Sequence, residues 1–269
     1  MRTRAPIEQT GRQRRGWHDE RQSIRMKALK RLSNISKYGL GAQARVRKQA
    51  DKEQRRRERF DDPELWEHGE TGARRKYASY DAYLEHQAAK LDKIAPRLRE
   101  KEDEDFAEFR RRFATCAALG GARSVLCLGA RLGTEVRAFH ALGYFAVGID
   151  LNPGEGNPYV LPGDFHRIVF ADGSVDAIYT NALDHVFSLE DLVGEVRRLL
   201  RPGGIFVADL ELGSEEGFVP GEYEAAMWRD HGRLIDQIKN LGQLEVEEAR
   251  DLGRTRRDQW TQVVFRKPV

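Results

Sequence analysis

The residues of this chain that can do chemistry stand just after short apolar runs. "SVLCLG" runs into Gly129 and then Gly133, and "FAVGID" ends on Asp150, 21 residues after Gly129. Asp164 follows "YVLPG", with His166 two residues on; Asn181 ends "VDAIYTN", and Asp184 and His185 come next. A glycine lets backbone approach a ligand, and the N-terminus of a following helix offers free N–H groups. A carboxylate such as Asp150 can accept both hydroxyl hydrogens of a ribose diol. A histidine or carboxylate can take a proton near neutral pH. The glycines alone fit a nicotinamide dinucleotide, S-adenosylmethionine or a plain strand–helix turn.

These positions need a scaffold that brings strand ends together. From Ser124 the strand-like runs "SVLCLG", "FAVGID", "YVLPGD", "VDAIYTN" and "GGIFVADL" alternate with helical patterns. The helices are "EVRAFHAL", "SLEDLVGEVRRLL" capped by Ser188, and "WRDHGRLIDQIKNLG" with a glycine stop. "QLEVEEARDL" and "QWTQVVFRKP" add two last strands, the final one antiparallel. The expectation is an α/β fold: a doubly wound, seven-stranded, mostly parallel sheet, with ligands at the carboxyl ends of its strands where strand order reverses.

Charge divides the 269-residue chain. Residues 1–60 hold 19 Lys+Arg against 6 Asp+Glu, a net of +13, while the remainder carries −10. The organisation read from this is a basic, partly disordered and helical arm over 1–60, a helical cap region over 61–118, and the sheet domain over 119–269. In the arm, Ile24, Ala28, Leu32 and Ile35 recur at helical spacing among basic residues. Such a helix suits RNA or another polyanion, an anionic membrane surface, or a partner. In the cap region Ser79 caps a helix carrying Tyr83, Leu84, Leu91 and Ile94, which Pro96 should end or restart. The next helix has acids early and arginines late, as the helix dipole prefers. No run approaches the 18 apolar residues of a transmembrane helix. No secretory apolar core precedes the first acids, and an organelle transit peptide is a minor option. Cys116 and Cys127 have no zinc spacing, so no metal is expected and a cytoplasmic setting is the simplest reading.

Three strings, "GIDLNP", "GDFHRIVFADGSVDAIYTNALDHV" and "LLRPGGIFVADL", together resemble the class I S-adenosylmethionine-dependent methyltransferases. The resemblance runs from Gly121 to the C-terminus. It implies S-adenosylmethionine as cofactor and a methyltransferase activity. It implies that Leu128 to Gly133 wrap the methionine portion, that Asp150 binds the ribose hydroxyls, and that Leu151 packs beside adenine. Asp164 and Phe165 would lie at the adenine edge, and Asn181 and Ala182 on the floor near the sulfonium.

The chain departs from that family where Cys127 replaces an acid and Arg131 a central glycine. Arg131 is then expected to hold the methionine carboxylate bidentately, and Glu135 to meet the methionine ammonium. His185 is the first candidate for a base, with Asp184 orienting it or replacing it and His166 as a further candidate. "TNALDH" stands where an amino-methylating enzyme would carry "NPPY", which points to oxygen methylation of a small molecule or saccharide. Gly213, Gly217 and Gly221 are candidate hinges of a loop whose Phe218, Tyr223 and Trp228 would cover the acceptor. Two other readings stand beside this one: an RNA-modifying or RNA-assembly enzyme that grips phosphates with the arm, and a non-catalytic protein that kept the fold.

Overall fold

A computed structural model describes residues 44–255 and 258–269. The basic helix expected around Ile24–Ile35, and most of the arm, lie outside the described residues. Residues 44–60 form helix α1, exposed along most of its length. Arg56–Val269 form one compact unit. Its elements follow as β1 (Trp66–His68), β2 (Gly72–Arg75), α2 (Tyr80–Ala88), α3 (Lys90–Glu100), α4 (Glu102–Ala114), β3 (Ser124–Leu128), α5 (Thr134–Ala141), β4 (Phe145–Asp150) and β5 (Val160–Pro162). Then come β6 (Val175–Thr180), α6 (Leu189–Leu199), β7 (Leu200–Glu211), β8 (Ala226–Trp228), α7 (His231–Gly242), β9 (Glu245–Thr255) and β10 (Asp258–Arg266).

Seven strands form the main sheet in the order β5-β4-β3-β6-β7-β10-β9, with β10 antiparallel to both neighbours and the other pairs parallel. The central strands are buried on both faces, as parallel strands must be. Alternate residues of β3, β6 and β7 therefore supply two cores. Val125, Cys127, Ala177, Tyr179, Ile205 and Val207 face Phe113 of α4 and Phe139 of α5, whose rings stack at 3.8 Å. Leu126, Leu128, Ile178, Phe206 and Ala208 face Leu192, Val193 and Val196 of α6 and Leu234 and Ile238 of α7. Strand order reverses between β3 and β6, so their carboxyl ends form the crevice.

Three local expectations change. The cap region opens with strands rather than helices: β1 and β2 pair antiparallel, and β8 joins them in a second, three-stranded sheet. Three or four residues per strand are too few to read as a period. Pro96 lies inside α3, and the chain breaks earlier, at Ala89. Proline's fixed φ suits a helix and costs it one hydrogen bond, while Leu91, Ile94 and Leu98 keep their inward face. The left-handed residue that ends α7 is Gln243, not Gly242. Gly242 is needed instead for close packing, because a Cβ there would lie 2.9 Å from Val193.

Helix α4 is tied to the sheet by charge as well as by its rings. Asp209, with a side chain 0% exposed, accepts from Arg112 (2.9 Å), Tyr179 (2.9 Å) and Gln262 (2.8 Å). Arg112 also donates to Glu108 at 2.8 Å. Removing one member of such a pair leaves the other charge buried and uncompensated. Arg112→Ala is expected to cost about 3–5 kcal/mol of stability, measured by urea unfolding, with the helical content of the folded protein retained.

Candidate functional site

The turn after β3 is built on three left-handed residues: Gly129 (φ +72), Arg131 (φ +43) and Gly133 (φ +80). A Cβ on Gly129 would lie 2.7 Å from the Cβ of Ala182, so the backbone there passes directly against the end of β6. Arg131 takes the same conformation with a side chain attached, at a cost of about 1–2 kcal/mol. Hydrogen bonds hold it there. Its N–H donates to Asp150 Oδ2 at 2.9 Å, and its carbonyl accepts from Asn157 Nδ2 at 3.1 Å. The other Asp150 oxygen accepts the Asn152 N–H at 2.9 Å. Asp150 thus ties the ends of β3 and β4 together and keeps lone pairs for a ligand.

A cleft opens at this crevice. Gly129, Arg131, Asp150, Leu151, Phe165, Ala182 and His185 line it from the sheet side, and Tyr83, Gln87, Lys90 and Leu91 from the cap helices. Helices α2 and α3 roof it through three polar ties. Tyr83 donates to the His185 carbonyl (3.0 Å), Gln87 to the Tyr223 carbonyl (2.7 Å), and Asn152 to the Ala88 carbonyl (2.8 Å). The cleft is partly open to solvent.

Charged groups from four segments meet under that roof. His185 Nδ1 lies 3.0 Å from the Tyr223 carbonyl, which can only accept, so Nδ1 carries the proton. Its Nε2 lone pair receives Lys90 Nζ and, at 3.3 Å, the Arg131 guanidinium, with Asp184 Oδ2 3.4 Å away. Burial, then Lys90 and Arg131, push the imidazole well below its ordinary value. Burial and then the Arg131 charge lower Lys90 to about 7, against the pull of Asp184 and Glu224. Burial and the Glu224 charge raise Asp184 to about 6. Among the described residues, the Tyr223 hydroxyl and Glu224 Oε2 are buried without a hydrogen-bond partner.

His166, expected as a base, is engaged at both nitrogens. Nδ1 donates to Asp164 Oδ1 at 2.9 Å, and Nε2 accepts the N–H groups of Phe187 (3.1 Å) and Ser188 (3.3 Å). It pins the turn before α6 and has no free lone pair to take a proton. Asp164 is likewise occupied by Tyr80, at 2.5 Å, and by the His166 N–H, at 2.9 Å. Burial raises its pKa, but these donors outweigh burial and leave it below the ordinary value. It ties α2 to the loop after β5 and is not among the cleft-lining residues. The available nitrogen of His185 already receives Lys90 and Arg131.

Leu128 is buried in the core, and Gly133 packs against Tyr159 and Val160; neither lines the cleft. Asn181 sits half-buried at the end of β6, also outside the lining. Glu135, expected at a ligand ammonium, is buried in the first turn of α5, where burial raises its carboxyl to about 8. Its charge acts on Cys127, a wholly buried core residue. Among the expected cover residues, Tyr223 stacks on His86 at 5.0 Å, and Trp228 is buried in β8 and donates to the Glu211 carbonyl at 3.0 Å. Gly213 is not a hinge but a close approach, since a Cβ would meet the Arg229 carbonyl at 2.2 Å. Sequence reasoning passed over Lys90, Tyr83 and Gln87, which read as one amphipathic helix, and Glu224, which reads as loop. Asn152, two residues after Asp150, carried a readable turn signal.

Comparison with known proteins places this geometry. Residues 126–208 match the family model described as a methyltransferase domain. The fold is similar to that of the Burkholderia thailandensis 1,6-didemethyltoxoflavin-N1-methyltransferase, solved with 1,6-didemethyltoxoflavin and S-adenosylhomocysteine bound. The TM-score is 0.58 at 16% identity, over 78% of this chain and 98% of that one. It is also similar to a Haloferax volcanii protein solved with the Trm112 methyltransferase activator, with TM-score 0.53 and 18% identity over 66% of this chain and 98% of that one. At these identities the likeness speaks for the fold. Among curated proteins, the sterol 24-C-methyltransferase of Gibberella zeae is 51% identical over 45 residues, 16% of this chain. An uncharacterized chloroplastic methyltransferase of Arabidopsis thaliana is 40% identical over 57 residues, 21% of this chain. The matched stretches span only 12% and 16% of those two relatives.

The buried Glu135 makes stability depend on pH. Its carboxyl keeps a proton up to about pH 8 in the folded chain and loses it near 4.3 when unfolded. Between those values the folded state binds more protons, so this group's contribution falls as pH rises and levels off above 8. Glu135→Gln is expected to remove that decline, seen as a flatter plot of urea midpoint against pH from 5 to 9.

Proposed function

We propose that this chain, whose residues 126–208 form a methyltransferase domain in the class I, S-adenosylmethionine-dependent methyltransferase fold, transfers a methyl group from S-adenosylmethionine to a small acceptor. The observation that carries this reading is Asp150, set with the backbone of Gly129 and Arg131 at the strand-order switch and facing a roofed cleft.

The residues present fit the cofactor. Asp150 has two oxygens, each accepting only one N–H, and would take the ribose hydroxyls. Gly129 lets backbone come close, and Leu151 and Phe165 offer apolar surface for adenine. Arg131 is a guanidinium at the cleft, suited to the methionine carboxylate. Ala182 lines the floor, with Asn181 next to it at the end of β6. Glu135 is left out of the ligand set because it lies behind the turn. When bound, S-adenosylmethionine supplies a methyl group on a positive sulfonium. Tyr83, Gln87 and the rest of the α2–α3 roof exclude water while reacting groups are held in line.

The roof also bears on the acceptor. A cleft closed by two helices suits a small molecule or a single sugar rather than the body of a polymer. The acceptor atom we favour is oxygen, because "TNALDH" offers no asparagine–proline–proline frame for an amino nitrogen and because ionisable groups able to take a proton line the cleft. A second, additive reading concerns the exposed, arginine-rich helix α1, which suits contact with RNA through its phosphates. Binding of a labelled RNA that weakens steeply with salt and is lost on deleting residues 1–60 is the expected outcome for that contact.

Titration calorimetry with S-adenosylmethionine and S-adenosylhomocysteine tests the central reading, and absence of binding to both ends it. Asp150→Asn is expected to weaken binding by about 10- to 100-fold, as loss of a charged hydrogen-bond acceptor does. Glu135→Gln is expected to leave affinity within about threefold, less than 1 kcal/mol. The acceptor class is found by a methyl-transfer screen with labelled cofactor against small-molecule, glycan, lipid and RNA fractions, with label expected in the first two.

A further inference from the structure

We infer that Lys90, carried into the cleft by the cap helix α3, is the group that takes the proton from the methyl acceptor, and that His185 positions its amine. This rests on the methyltransferase reading above. The first observation is placement. Lys90 lines the cleft together with Gly129, Asp150 and Ala182, although it belongs to the roof. A group on the roof faces whatever lies between cap and sheet.

The second observation is how the amine is held. Its Nζ meets His185 Nε2, the one imidazole nitrogen that lacks a proton, because Nδ1 donates to the Tyr223 carbonyl. His185 therefore accepts an N–H from Lys90 and fixes the direction of the remaining valences. The Tyr223 ring packs 5.8 Å from the same nitrogen. The side chain is a tethered amine with its anchor specified, not a mobile surface lysine.

The third observation is the charge around it. Arg131 comes from the turn after β3, Asp150 from the end of β4, Asp184 and His185 from the turn after β6, and Tyr223 and Glu224 from the segment before β8. His86 and Lys93 flank it on the cap. Arg131 and burial disfavour the ammonium and bring Lys90 down to about 7, where a base works best at neutral pH. Asp184 and Glu224 act in the opposite sense and are at hand to compensate the ammonium once it forms. The step balances. The acceptor's O–H bond breaks and its proton passes to the neutral Lys90 amine, while the oxygen bonds to the methyl carbon. The carbon–sulfur bond of the sulfonium donor breaks with its electron pair on sulfur, leaving a neutral thioether.

Acylation of the full chain with acetic anhydride from pH 5.5 to 10, read as modification of the Lys90 peptide by mass spectrometry, tests the state of the amine without turnover. Half-maximal labelling near pH 7 is expected, about three units below an ordinary lysine. A midpoint near 10 overturns the proposal. With an acceptor from the screen, Lys90→Arg and Lys90→Gln should keep measurable S-adenosylhomocysteine binding and a cooperative thermal melt. They should lose about 100-fold or more in kcat, together with the rise in rate through pH 7. Activity within threefold of the parent in either folded variant overturns it. Failure of the parent chain to bind S-adenosylhomocysteine refutes the methyltransferase reading itself, and is told apart from these outcomes by calorimetry alone.

Discussion

Burial forces the ionisable groups of the cleft to compensate one another, and much of the architecture around it depends on that constraint. Lys90, Arg131, Asp184, His185 and Glu224 come from four separate segments. Any one of them placed alone beneath the cap would carry a desolvation cost of several kcal/mol. Together they offset the cost through opposed charges and shared hydrogen bonds. The arrangement holds only while α3, the turn after β3, the end of β6 and the segment before β8 keep their places. The cap is thus coupled to the sheet electrostatically as well as by packing.

The rest of the molecule supplies those places. Two alternating cores fix β3 next to β6 and leave their carboxyl ends open at the reversal of strand order. The Arg112–Asp209 pair and the Phe113–Phe139 stack hold α4 against the sheet, and α4 follows directly on α3, which carries Lys90. The small β1-β2-β8 sheet ends the segment that delivers Tyr223 and Glu224. Asp164 and His166 hold Tyr80 and the turn before α6. In the sequence His166 reads as a candidate base and Asp164 as a cofactor contact; in the structure their polar atoms are engaged by neighbours.

How much was legible depended on the range of the signal. The alternation of apolar runs with helical patterns marked the order of strands and helices in the sheet domain, since each run buries itself by a local period. Ser79 and Ser188 read correctly as caps, because a cap hydrogen bond spans only three residues. Asp150, Gly129 and Arg131 stood out because strand ends and left-handed turns have local residue preferences. Strands β1, β2 and β8 did not, because three or four residues give no period and β8 pairs with β2 from some 150 positions away. Lys90 was invisible as chemistry: on its own helix it is one more charged residue beside an apolar stripe.

The sequence by itself determined the class of fold, the crevice where a ligand would lie, and the carboxylate Asp150 and glycine Gly129 that face it, because these follow from short-range periodicity and backbone sterics. The tertiary structure decided which ionisable groups share that crevice and in what protonation state. It set His166 and Asp164 to structural duty, buried Glu135 behind the turn, and brought Lys90 and Glu224 in from the cap and the distant loop. The physical reason is that proton affinity is a property of surroundings. Burial and neighbouring charge set it, and both exist only once segments far apart in the chain have packed together.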